Sequence, residues 1–187
     1  MINKNTDKTA QNKIVDNSLE NTALSDKDFM TSSYHQFPKT VSPQHWEEWT
    51  KDSGISEEIA LSCLQSLTDR QQIAALLGWK AYPQHNPLGW TCLGISLLTF
   101  KPSELLQFKP DTPIQFPDQE KPAKYLTSHQ GYDALALPIR DWQAIVEDPT
   151  IPVTLTEGPK KTGALETCDY VALGLPGVEM GLKNGRL

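Results

Sequence analysis

Two apolar runs separated by one helix length constrain this chain more than any other feature. Ile151-Pro152-Val153-Thr154-Leu155-Thr156 is rich in β-formers, and Tyr170-Val171-Ala172-Leu173-Gly174-Leu175 is a second apolar strand. Between them lie Glu157-Gly158-Pro159-Lys160-Lys161 and a helical stretch reaching Thr167. Strand, helix and strand within roughly 25 residues imply a parallel β-α-β unit, because parallel neighbours need a crossover of about that length. Ligands of such sheets gather at the carboxyl ends of the strands. Glu157 falls there, on the tip of the first strand, and Gly158 allows a ligand or another backbone to come close. Leu175-Pro176-Gly177-Val178 ends the second strand at the same edge. Lys160 and Lys161 suit a phosphate at the start of a helix, or equally a solvated helix face.

Upstream, the signals for helices come first. Ser42-Pro43 is an N-cap followed by proline at the first helical position, and Gly54 stands where a helix would stop. Ser56 caps a second helix, with Glu57 and Glu58 in its first turn and an apolar face of Ile59, Cys63, Leu64 and Leu67. Thr68 and Gln71 have capping-box spacing for a third, ending at Gly78. Residues 41–78 therefore read as a small helical subdomain. Residues 79–149 read as a β-rich region of short strands: Trp90 to Leu97, Gln107 into the turn at Pro113, Lys121 to Tyr125, and Tyr132 to Leu137. Prolines at 102, 110, 113, 117, 122 and 138 keep these strands short or at an edge. A helix from Arg140 to Glu147 precedes the turn at Asp148-Pro149. The expected class is α+β or α/β, with residues 150–187 holding the β-α-β unit.

Residues 1–40 are polar, with five Lys against five Asp and Glu, and without a sustained period. Such a tail cannot bury enough surface to offset its ordering entropy and is expected to be disordered. The net charge of −6 then lies beyond it, which argues against a broadly basic nucleic-acid binder though not against a local basic patch. Cys63, Cys92 and Cys168 are far apart, and the four histidines are scattered, so no Cys/His metal site is indicated. Trp46, Trp49, Trp79 and Trp90 have the spacing of core residues more than of a base-stacking platform. Lys101, Lys109, Lys121 and Lys124 read as surface charge balanced by Glu104, Asp111, Asp118 and Glu120. With no apolar run near the roughly 18 residues that span a bilayer and no signal-peptide core, a cytoplasmic location away from membranes is expected.

The run T-E-G-x-K-K at Thr156 to Lys161, a helix with small residues, and a strand ending in G-L-P-G-V resembles the toprim module of primase-like proteins. It looks most like the domain of unknown function at the front of cyanobacterial plasmid and mobile-element primase–helicase proteins. H-W-E-E-W…S-G-I-S from His45 to Ser56, F-K-P-D-T-P from Phe108 to Pro113, and Lys124-Tyr125 are similar in the same order. The resemblance implies DNA replication chemistry: nucleotidyl or phosphoryl transfer, with single-stranded DNA and nucleotides as partners. It implies Glu157 as the general acid/base, Gly158, Lys160 and Lys161 at the phosphates, and Mg²⁺ held by a later Asp-x-Asp pair. Nothing here matches that pair, since the sequence stops nine residues after Val178. Glu166 lies on the connecting helix and Asp169 at the amino end of the second strand, so Glu179 is the one conceivable substitute ligand. The toprim-like unit is therefore expected to be truncated, Glu157 idle and the chain inactive alone. The missing remainder, a helicase segment or self-association would complete it, the last because the Tyr170 to Leu175 strand would expose a bare edge. The alternative is a non-catalytic remnant or accessory module binding nucleic acid or protein.

Overall fold

The computed structural model describes residues 40–104, 106–127 and 134–177. The expected disorder of residues 1–40 (Thr40 apart), the start of the strand expected from Tyr132, and Glu179 all fall outside them. The fold is α+β.

Helix α1, Pro43–Thr50, starts as its sequence dictates: the Ser42 hydroxyl accepts from the His45 N–H at 3.3 Å, and Pro43 occupies the first turn. Trp49 and His45 face inward, four residues apart on one side of the helix. The chain reverses at Gly54, whose φ is +66°. Ser56 then caps helix α2, Glu57–Cys63. Here the structure corrects the expected helix: Leu64–Leu67 is strand β1, not a further turn of α2. Leu64 is already extended, with φ −76° and ψ 135°. Residues 41–78 thus contribute a strand as well as helices. Helix α3, Arg70–Leu77, is capped by Asp69 rather than by Thr68, the Asp69 carboxylate accepting from the Gln71 N–H at 2.8 Å, and it ends at left-handed Gly78.

Strands β1, β2 (Gly89–Cys92), β3 (Gln107–Pro110) and β4 (Leu126–Thr127) form an antiparallel sheet in that order. Its register runs from Leu64 opposite Cys92 to Leu67 opposite Gly89, then Trp90 opposite Lys109 and Phe108 opposite Leu126. The second sheet has the order β5-β7-β6, built from β5 (Leu135–Ala136), β6 (Thr154–Glu157) and β7 (Ala172–Leu175). Helix α4, Trp142–Glu147, precedes β6, and helix α5, Pro159–Thr167, crosses from β6 to its parallel neighbour β7. The second strand of the unit is therefore not a bare edge. Antiparallel β5 covers it, Leu135 opposite Gly174 and Ala136 opposite Leu173. Among the described residues no strand pairs with the outer side of β6, where Leu155 is 65% exposed, and Val153 just before it is 41% exposed.

The two sheets share a core. Trp49, Ile55, Trp90 and Leu137 pack in one cluster, with the Trp49 and Trp90 rings edge to face at 5.2 Å. The Ile95 N–H donates to the Ala136 carbonyl at 2.8 Å, and Gly163 of α5 lies against the Ile55 side chain. No helix among the described residues is long and apolar enough to cross a membrane.

Candidate functional site at the carboxyl edge of the second sheet

Glu157 closes β6 opposite Leu175, and its successor turns the chain into α5. Gly158 has φ +76° with open space where a Cβ would stand, so its backbone conformation, not crowding, calls for glycine. Its N–H donates to the Leu175 carbonyl at 2.9 Å, tying the first strand tip to the second. The Thr162 hydroxyl donates to the Gly158 carbonyl at 2.9 Å. The start of α5 has no side-chain cap, and Pro159 brings no N–H.

The two lysines that follow go different ways. Lys161 turns back to Glu157, its ammonium 3.8 Å from Oε2 in an exposed pair one helical turn apart. Lys160 instead crosses to α1, donating to Glu48 Oε1 at 2.9 Å. Glu48 also receives Lys109 of β3, whose Nζ lies 3.1 Å from Oε1, and the Trp90 indole N–H at 3.0 Å from Oε2. Lys109 sits 5.6 Å from the centre of the Trp90 ring, which its charge favours. Gln107 of the same strand donates to the Pro176 carbonyl at 2.8 Å. The carboxyl edge of β6 and β7 thus abuts the first sheet, with Glu48, Lys109 and Lys160 at the junction.

Burial raises the Glu48 pKa, but the donors from Lys160, Trp90 and Lys109 outweigh it and hold the carboxyl below its ordinary 4.5. Tyr125, edge to face with Trp90 at 6.1 Å, moves the other way. Burial first, then the neighbouring charges of Glu48, Cys92 and Glu157, push its hydroxyl up to about 12. The hydroxyl is therefore neutral at pH 7.

Sequence reasoning brought Glu157, Gly158, Lys160 and Lys161 to one edge, and there they are. It missed Glu48, Trp90 and Tyr125 as site residues. It also placed Lys109 among surface charges balanced by Asp111 and its neighbours, whereas Lys109 pairs with Glu48 and Asp111 with His45. The available signal was positional: Glu48 is three residues from buried His45 and next to buried Trp49, an acid at the margin of the inward side of α1. Glu166 and Asp169 gather at the opposite end of the sheet. Arg140 donates to both, at 2.5 and 3.1 Å, and Glu166 accepts from the Ala172 N–H at 2.8 Å. They brace the amino end of β7.

One further constellation has the composition of a nucleophilic triad. His45 Nδ1 lies 2.7 Å from Ser66 Oγ, and Nε2 lies 2.7 Å from Asp111 Oδ1. The serine is only 4% exposed and already accepts from the Ser42 N–H at 2.8 Å. The ring also presents its nitrogens in the reverse sense to a catalytic triad. This is a clamp fastening α1 to the first sheet.

Mg²⁺ requires several hard oxygens, usually more than one carboxylate. Among the described residues no three His, Cys, Asp or Glu side chains come together. Glu157 faces Lys161, and Glu48 is taken by two lysines. The described donors do not fit the metal.

The family described as a domain of unknown function (DUF3854) matches residues 141–186, from α4 through the crossover unit. An uncharacterized protein of Picosynechococcus sp. (strain ATCC 27264 / PCC 7002 / PR-6) is 28% identical over 212 residues, covering 91% of this chain and 21% of its own length. The chain therefore spans about a fifth of that relative. No solved structure matches.

Proposed function

We propose that this chain is the front portion of a replication primase-like protein of plasmid or mobile-element origin, whose β6–β7 carboxyl edge faces the phosphates of single-stranded nucleic acid. The observation carrying the reading is the parallel crossover that sets Glu157, Gly158 and the uncapped start of α5 at one edge, with lysines beside them. A much longer relative is in keeping with a portion of a longer protein. Within this reading the chain binds and does not itself transfer nucleotides, which makes it an accessory module. Phosphoryl transfer needs carboxylates to hold Mg²⁺ beside the general acid/base, and among the described residues the ion-pair partner of Glu157 is Lys161.

Fluorescence anisotropy with a labelled single-stranded oligonucleotide tests the binding. Affinity should be weak and fall with salt along a slope of about two phosphate contacts. Lys160→Ala with Lys161→Ala should lower it toward background, and an unchanged affinity would remove this edge from the interface. Primer synthesis from ribonucleotides with Mg²⁺ or Mn²⁺ should yield no product. Robust product that disappears on Glu157→Gln would establish the chain as an enzyme and overturn the accessory reading.

A further inference from the structure

Two ammonium groups share a single carboxylate at the junction of the sheets. Lys160 and Lys109 both reach Glu48 Oε1, at 2.9 and 3.1 Å, so their nitrogens are no more than about 6 Å apart, close enough for one phosphate group to contact both. Their side chains are 30% and 22% exposed and that of Glu48 is 18% exposed, so one positive charge is left over where water only partly screens it. An uncompensated charge in such a place costs free energy unless an anion joins it. Each ammonium has three N–H donors. Lys160 spends one on Glu48, and the indole of Trp90 takes part of the carboxylate's acceptor capacity from beneath. The amino end of α5, whose first turn has no side-chain cap, adds its dipole on the same side. The two lysines come from different elements, Lys109 from β3 and Lys160 from α5, which no charge run in the sequence indicates.

We propose that Lys109 and Lys160 form a two-point phosphate subsite, with Glu48 as the positioning residue that sets the distance between them. The ligand is a phosphate group of a nucleotide or of a single-stranded backbone. The choice of polymer rests on the function proposed above, whereas the subsite itself does not. Lys161, which turns back to Glu157, lies outside it.

The test uses the full chain and two metal-free probes, inorganic pyrophosphate and a single-stranded oligodeoxynucleotide, followed by calorimetry at low salt. Lys109→Gln and Lys160→Gln should each weaken pyrophosphate binding about tenfold, the scale of one charge-assisted hydrogen bond. Lys109→Arg and Lys160→Arg should restore most of it, and Lys161→Gln should change it less than about twofold. On the wild-type chain, pyrophosphate should shield Lys109 and Lys160 from acetylation while leaving Lys161 reactive, a readout independent of how the variants fold. Equal acetylation of all three lysines, or undiminished binding by both glutamine variants, would overturn the subsite. Absence of any pyrophosphate binding by the wild-type chain would do the same. Pyrophosphate binding through the two lysines without oligonucleotide binding keeps the subsite, assigns it to nucleotides and removes the polymer reading. Oligonucleotide and pyrophosphate binding that are both insensitive to Lys109 and Lys160 remove the subsite and leave the polymer reading standing.

Discussion

Glu48 is the residue on which the junction turns, and its ionisation makes a measurable difference to stability. Its folded pKa lies below the ordinary 4.5 because three donors outweigh burial. The stabilisation from its charge is therefore fully present above pH 4.5 and is lost as pH falls through the lowered folded value. Denaturant melts from pH 7 to pH 3 should show a steeper acid loss in the wild type than in Glu48→Gln. At neutral pH that variant should be less stable by about 2 kcal/mol, since it leaves two lysines facing an amide. Tyr125 behaves in the opposite sense. With its folded pKa pushed up to about 12, the stability it contributes is intact below pH 10 and declines as pH rises toward that value. An ultraviolet titration should show one late-ionising tyrosine fewer in Tyr125→Phe; an unchanged late phase would place that hydroxyl in open water. Glu48 was not legible as a hub because its partners are 61 and 112 residues away, Lys109 and Lys160, and no local spacing encodes such a meeting. Glu157 and Gly158 were legible because a strand end and a helix start are local events.

The strand–helix–strand order of the crossover unit was readable, although its strands start later than expected, at Thr154 and Ala172, and the reason is physical: one run of β-formers, one helix and a second apolar run leave little choice of topology. Elements whose state depends on distant partners were less legible. Leu64 and Leu67 continue the spacing of Ile59 and Cys63 as a helix would, yet pairing with β2 draws them into a strand. Likewise β5 is two residues long, and nothing near Leu135 specifies that it will cover β7. Gly158 and Gly174 of the crossover unit offer a contrast at this scale. A Cβ at Gly174 of β7 would collide with the Thr162 hydroxyl of α5, whereas at Gly158 it would meet nothing and only the positive φ resists it. Gly174→Ala should therefore cost about 1–3 kcal/mol through overpacking, and Gly158→Ala, at φ +76° and ψ 160° in a region that essentially glycine alone occupies, about 1–3 kcal/mol through backbone strain. Thermal melts of the two variants measure both losses. Removing the obstructing hydroxyl with Thr162→Ala should recover part of the loss in the first and none in the second.

Over the whole molecule, charge and architecture pull in different directions. A net charge of −6 repels nucleic acid at long range, so any interface has to be local. The architecture supplies one such place, where the carboxyl edge of β6 and β7 meets the first sheet and lysines from both converge on Glu48. The opposite end, where Arg140 braces Glu166 and Asp169, has the chemistry of a structural joint. The most direct test is therefore to map where nucleic acid touches the chain. Photo-crosslinking of a thiothymidine-bearing single strand, read out by peptide mass spectrometry, does this without any substitution. Crosslinks are expected in the peptides carrying residues 107–110 and 157–161, diminishing together as salt rises. Crosslinks concentrated instead on α3, on α4 or around Arg140, with the β6–β7 carboxyl edge bare, would contradict it.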